Sequence, residues 1–213
     1  SNLEKNQDLK SVLLLETPWV LEAKAESQAK RNIGLLFDEN RMSQELRSTS
    51  AKLEAMQLAN GSWPWFPGGP GNSYITLYIL TGFGRLKHLG VGIVKQDSAA
   101  KAVGYLDNWI DEIYREILRL GTKDLNHLSS TIALYLYGRS FYLKERPIPE
   151  GSREAVDYFL GQARKFWLGL DVRQSQAHLA LALNRLNDPA TAQKIMRSMK
   201  ERSQVDEELG RFW

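Results

Sequence analysis

An all-α fold built from helical-hairpin repeats is what this 213-residue sequence predicts, and three observations predict it. Apolar residues recur three and four apart almost throughout. No segment sustains the apolar–polar alternation of strands joined by hairpin turns, so no sheet is expected. A weak internal repeat returns roughly every 50 residues, within the range of stacked helix pairs. Together they imply one all-α domain over residues 1–213, a curved stack or toroid of helical hairpins with less charged helices inside and charged partners outside.

The elements follow in order. Thr17-Pro18 has the form of an N-cap and first-turn proline for a charged helix over Pro18–Phe37, and a second charged helix is expected over Arg41–Met56. In Ser73–Leu89 the stripe is Ile75, Tyr78, Ile79, Gly82, Phe83 and Leu86, with Ser73 as cap and Gly90 as stop. In Asp97–Leu120 it is Val103, Leu106, Ile110, Ile113 and Ile117, with Asp97 as cap and Gly121 as stop. The repeat lays Tyr78–Arg85 over Ile132–Arg139 and His178–Arg185, so each copy ends on arginine. Each is followed by a turn and a second helix: Asp97–Leu120, Ser152–Phe166 and Pro189–Arg202, the last opened by Asp188-Pro189.

Composition narrows the function classes. The chain is 43% hydrophobic and 25% charged, which places it among globular rather than disordered proteins. A net charge of +3 is spread among interleaved acids, not gathered in the stripe or tail of a nucleic-acid binder. Cysteine is absent, which excludes disulfides, thiolate metal sites and thiol nucleophiles within this sequence. No apolar run approaches the ~20 residues that cross a bilayer. Ser1-Asn2 and Phe212-Trp213 read as the ends of a piece cut from a longer protein.

Helical spacing stops between Gln57 and Ser73, in Asn-Gly-Ser-Trp-Pro-Trp-Phe-Pro-Gly-Gly-Pro-Gly. Asn60-Gly61 is a turn signal, and the Gly68–Gly71 run permits left-handed backbone conformations that bring the chain back into Ser73. Trp63, Trp65 and Phe66 carry too much apolar surface to lie in water without cause. Either the tryptophans plug the end of the helical stack, each indole N–H on a backbone carbonyl, or they form a platform for a sugar, a lipid or a partner protein. The plug is favoured, because an ordered loop of this size needs its own anchor.

Met56–Gly69 resembles the Gln-x-x-x-Asp-Gly-Gly-Trp type of motif of α/α-toroid domains, in the form found in bacterial alpha-2-macroglobulin-like proteins. Asn72–Leu80, Gly82–Gly90, Leu15–Trp19 and Leu36–Met42 continue the likeness, which covers most of the chain. The resemblance implies a piece of the thioester-type domain of a large periplasmic or envelope-associated protease inhibitor. Such proteins trap endopeptidases by changing conformation after a bait segment is cut. Many also carry a Cys-x-Glu-Gln thioester, which has no counterpart here. The implied role is a scaffold, with the loop residues Asn60, Gly61, Trp63, Trp65, Phe66, Gly68, Gly69 and Tyr74 structural or interacting. The implied partners are other domains of the parent chain and, through it, target proteases.

No catalytic, cofactor or metal residue is assigned. His88, His127 and His178 lack ligand spacing, and His178 reads as a core residue. Asp107 and Asp111, one turn apart beside Glu112 and Arg115, read as solvated or arginine-paired rather than as an acid–base pair. Asp206-Glu207-Glu208 reads as a solvated turn. Ser129-Ser130-Thr131 lacks a nucleophile elbow, and Gly68–Gly71 lacks the ending of a phosphate loop. A non-enzymatic domain is therefore expected, and the resemblance implies that it belongs to a protease inhibitor. The alternative is an α/α-barrel carbohydrate-binding or carbohydrate-active domain with Trp63 and Trp65 as sugar platforms and Asp111 as acid.

Overall fold

The computed structural model describes residues 39–91, 96–208 and 210–212. The Thr17-Pro18 cap and the Pro18–Phe37 helix lie outside the described residues. Helices dominate, as an all-α fold requires: α1 (Glu39–Met56), α2 (Ser73–His88), α3 (Gln96–Arg119), α4 (Ser130–Ser140), α5 (Glu150–Phe166), α6 (Arg173–Arg185) and α7 (Pro189–Glu201). The expectation of no sheet is corrected by two antiparallel ladders, β1 (Trp63–Pro64) with β2 (Gly71–Asn72) and β3 (Gln204–Asp206) with β4 (Gly210–Phe212). Strands of two or three residues are too short to show alternation in a sequence.

Two compact units, Ser1–Lys52 and Leu53–Trp213, divide the chain, and α1 crosses the division. In the first unit the described residues are helical, and most of residues 41–49 are exposed. The hydrophobic core lies within the second unit. There α2 packs on α4 and α4 on α6, α3 packs on α5, and α2–α3 and α6–α7 pack as consecutive helices.

The burial pattern of each helix follows from its neighbours. On α3 the buried residues Ala102, Val103, Leu106, Ile110, Tyr114 and Ile117 form one stripe, and of the expected set Ile113 alone is half-buried. On α4 the run Tyr135, Leu136, Tyr137, Gly138, Arg139 and Ser140 is buried without a break, because neighbours cover several faces. The stripe expected on α2 is rotated: Leu77, Leu80, Phe83 and Gly84 are buried, whereas Tyr78 is exposed. Apolar residues surround this helix, so spacing alone does not select its inward face.

Caps were legible to within a residue. Asn72, not Ser73, caps α2, its Oδ1 accepting from Ile75 N at 2.9 Å. Asp97 lies inside the first turn of α3 rather than before it, where its charge still favours the helix N-terminus. Asp188 caps α7 as expected, accepting from Thr191 N at 3.1 Å, with Pro189 opening the helix.

Two glycines set how closely α2 and α4 approach. A Cβ on Gly84 would lie 2.6 Å from the Phe141 ring, and one on Gly138 would press into the Thr81 hydroxyl. That hydroxyl is already committed, donating to Leu77 O at 2.8 Å. Replacing an open helical glycine by alanine gains up to about 1 kcal/mol. Gly138→Ala is expected to do the reverse and lose about 1–3 kcal/mol through overpacking. Gly104→Ala, on α3 with open space around it, should gain instead. Urea midpoints of the two variants moving in the same direction would refute the close-approach account.

Candidate functional site

The loop between α1 and α2 is built from its own polar atoms inward. Gln57 Nε2 donates to Gly61 O and to Ser98 O, both at 2.9 Å, tying the turn to α3. Asn60 Oδ1 accepts from Ser62 N at 3.1 Å and from Ser62 Oγ at 2.7 Å, an Asx turn that reverses the chain. Gly61 sits at φ 89° against the backbone carbonyl of Lys101, so it meets both conditions that reserve a position for glycine.

Trp63 then enters the core. It is 0% exposed, its indole Nε1 donates to Leu53 O at 2.6 Å, and its ring stands edge-on to Phe83 at 5.9 Å. Its backbone N donates to Thr76 Oγ1 at 2.8 Å, and that hydroxyl donates to Asn72 O at 2.7 Å. One threonine thus joins β1, β2 and the first turn of α2. The tip turns through Gly68 at φ 79°, with Gly69 N donating to Phe66 O at 3.0 Å.

Outside this clasp the aromatic residues part company. Trp65 is 66% exposed, Phe66 58% and Tyr74 47%. The expectation that both tryptophans plug the stack therefore holds for Trp63 and is corrected for Trp65. The two-residue strand ends at Pro64, buried like Trp63, so Trp65 and Phe66 lie past the ladder in the hairpin tip, beyond the core.

The remaining candidates are held by structural partners. Asp107 is buried: its Oδ1 accepts from Tyr135 OH at 2.9 Å and Arg139 Nε at 2.8 Å, and its Oδ2 from Arg139 Nη2 at 3.1 Å. Burial first, then the Asp107 charge, hold the Tyr135 phenol well above its usual pKa, so it stays a neutral donor. Asp111 pairs with Arg115 at 2.7 Å. His127 Nε2 donates to Thr122 O at 2.8 Å. Ser129 caps α4, with Oγ accepting from Ile132 N at 3.2 Å. Asp206 ends β3 and Glu208 lies in the turn toward β4, both exposed, with Glu208 N donating to Asp206 Oδ1 at 2.9 Å. Among the described residues no group of His, Asp and Glu is arranged to hold a metal ion, and no helix is long and apolar enough to cross a membrane.

One cluster escaped sequence reasoning. His178 stacks on Tyr137 with centroids 4.5 Å apart, and its Nε2 accepts from Arg85 Nη2 at 3.1 Å. An arginine can only donate, so this nitrogen carries no proton. Burial and then the Arg85 charge pull the His178 pKa down to about 4. Arg185 lies over the Phe141 ring, its Cζ 4.1 Å from the centroid. The available signal was the arginine that ends each copy of the repeat.

No known family model matches the chain, and no curated protein matches it.

Two expectations separate clasp from tip and ring from solvent. Trp63→Ala should cost about 3–5 kcal/mol as a fully buried aromatic. Trp65→Ala should lie within about 0.5 kcal/mol of the parent protein, as exposed sites do; equal urea midpoints for the two would contradict the anchoring role. Because folding lowers the His178 pKa from 6.5 to about 4, the unfolded chain binds more protons between those values. The stabilising effect of neutral His178 is complete above pH 6.5 and is lost as pH falls toward 4. His178→Gln should flatten the stability–pH profile across that window.

Proposed function

We propose that this chain is a non-catalytic structural domain of an alpha-2-macroglobulin-like inhibitor of endopeptidases, in the periplasm or at the cell envelope. In this reading α2, α4 and α6 form the inner row of an incomplete α/α toroid, and α3, α5 and α7 form its outer row. The packing of α2 on α4, α4 on α6 and α3 on α5 supports that arrangement. The observation that carries the proposal is the motif loop. Asn60, Gly61 and Trp63, which bear the likeness to the toroid family, are consumed in internal bonds. A loop built this way is a joint of a scaffold. Its tip residues Trp65 and Phe66 remain for contact with other domains of the parent chain.

The carbohydrate reading keeps Trp65 and Phe66 as ring faces but loses Trp63, which has no exposed face to offer. It also loses Asp111 as a free acid, since that carboxylate is paired with Arg115.

The deciding measurement uses the parent protein. An endopeptidase incubated with it should keep its activity on a small chromogenic peptide and lose it on a large protein substrate, because the trapped enzyme is shielded. Equal activity on both substrates after cleavage of the parent chain would refute the inhibitor role. Saccharide binding by calorimetry that Trp65→Ala abolishes would favour the carbohydrate reading.

A further inference from the structure

The C-terminal ends of α2, α4 and α6 hold a cationic cleft that takes no part in the loop. Arg85, Arg139 and Arg185 stand at one position of the three repeat copies. Arg139 is neutralised by Asp107. Arg85 and Arg185 have no carboxylate partner among the described residues. Instead both lie over the Tyr137 ring, with Cζ 5.4 and 5.6 Å from its centroid.

Each guanidinium is held in place without being used up. Arg85 donates to neutral His178, and Arg185 Nη1 donates to Ser140 Oγ at 3.1 Å while stacking on Phe141. A guanidinium has five N–H donors, so most of this capacity is unspent among the described residues. Arg185 lines a cavity of about 470 Å3 together with Gly84, His88, Ser140, Phe141 and Lys144, and Arg85 is the next residue after its wall residue Gly84. Its acidic lining residue, Glu145, is already paired with Lys87 at 2.7 Å, so the remaining charge is positive. Helix C-terminal carbonyls account for cations gathering at this end. They do not account for two guanidiniums fixed over one ring with their donors unspent.

We propose that Arg85 and Arg185 form a clamp for a carboxylate side chain of an acidic polypeptide segment. The planar fork of each guanidinium matches a carboxylate. Phe141, which lines the cavity beside Arg185, adds apolar surface for the aliphatic stem of Asp or Glu. The proposal does not depend on the inhibitor reading.

The test titrates the 213-residue chain with a hexaglutamate peptide blocked at both termini, by calorimetry at low salt, where screening is weakest. Saturable binding is expected, weakened about tenfold or more in the double variant Arg85→Gln/Arg185→Gln. Lys194→Gln, removing an exposed cation of α7, should leave it unchanged. NMR should show the His178 imidazole titrating at higher pH in the peptide complex, since a nearby anion favours the charged ring. If the double variant does not fold, Arg85→Lys and Arg185→Lys keep the charge and lose the fork, and weakened binding in either supports the clamp. Absent saturation, undiminished binding in both lysine variants or an equal loss in Lys194→Gln overturns it. So does inorganic phosphate that occupies the cleft more tightly than the peptide.

Discussion

Close approach between α2 and α4 is the constraint on which the rest of the second unit depends. Gly84 accepts the Phe141 ring and Gly138 accepts the Thr81 hydroxyl, so neither position has room for a further carbon. With the two backbones this near, α4 is covered on several sides, and its long buried run becomes possible. Small residues then continue the pattern onto α6, where Ala180 and Ala182 are buried. A Cβ at either glycine would part the helices and open the core, since packed interiors do not deform continuously.

That depth of burial creates an electrostatic problem, and the fold answers it locally. Arg139 is 3% exposed, a position few arginines occupy unless paired. Asp107 on α3 meets it with both oxygens, Tyr135 adds a neutral donor, and the Pro147 carbonyl takes a further N–H at 3.1 Å. Nη1 of Arg139 is left without a partner among the described residues. A buried pair of this kind gives little net stability, yet removing either member would strand a charge. Its contribution is to register: it ties α4 to one turn of α3.

The loop from Asn60 to Asn72 solves a different problem, joining helices through a stretch with little regular structure. Side chains do most of that joining. Asn60, Gln57 and Thr76 supply the oxygens and nitrogens that a regular element would have supplied. Trp63 seals the base, and its one polar atom is spent on Leu53. The clasp is complete without the side chains of Trp65 and Phe66, which project into solvent.

The sequence by itself determined what depends on near neighbours: helix existence, most helix limits, the turn at Asn60-Gly61, the cap at Asp188 and the inward stripe of α3. These follow from spacing and from capping chemistry a few residues long, which a single chain displays. The tertiary structure alone decided the inward face of α2, the capping by Asn72, the parting of Trp63 from Trp65, and the fates of Arg85, Arg139 and Arg185. Those three arginines look alike in the repeat, and nothing local distinguishes them. What separates them is which helix lies opposite: α3 brings Asp107 to Arg139, while Tyr137 and His178 meet Arg85. A side chain's charge state and exposure are set by groups distant in sequence, so periodicity could place these residues on helices but not assign their partners.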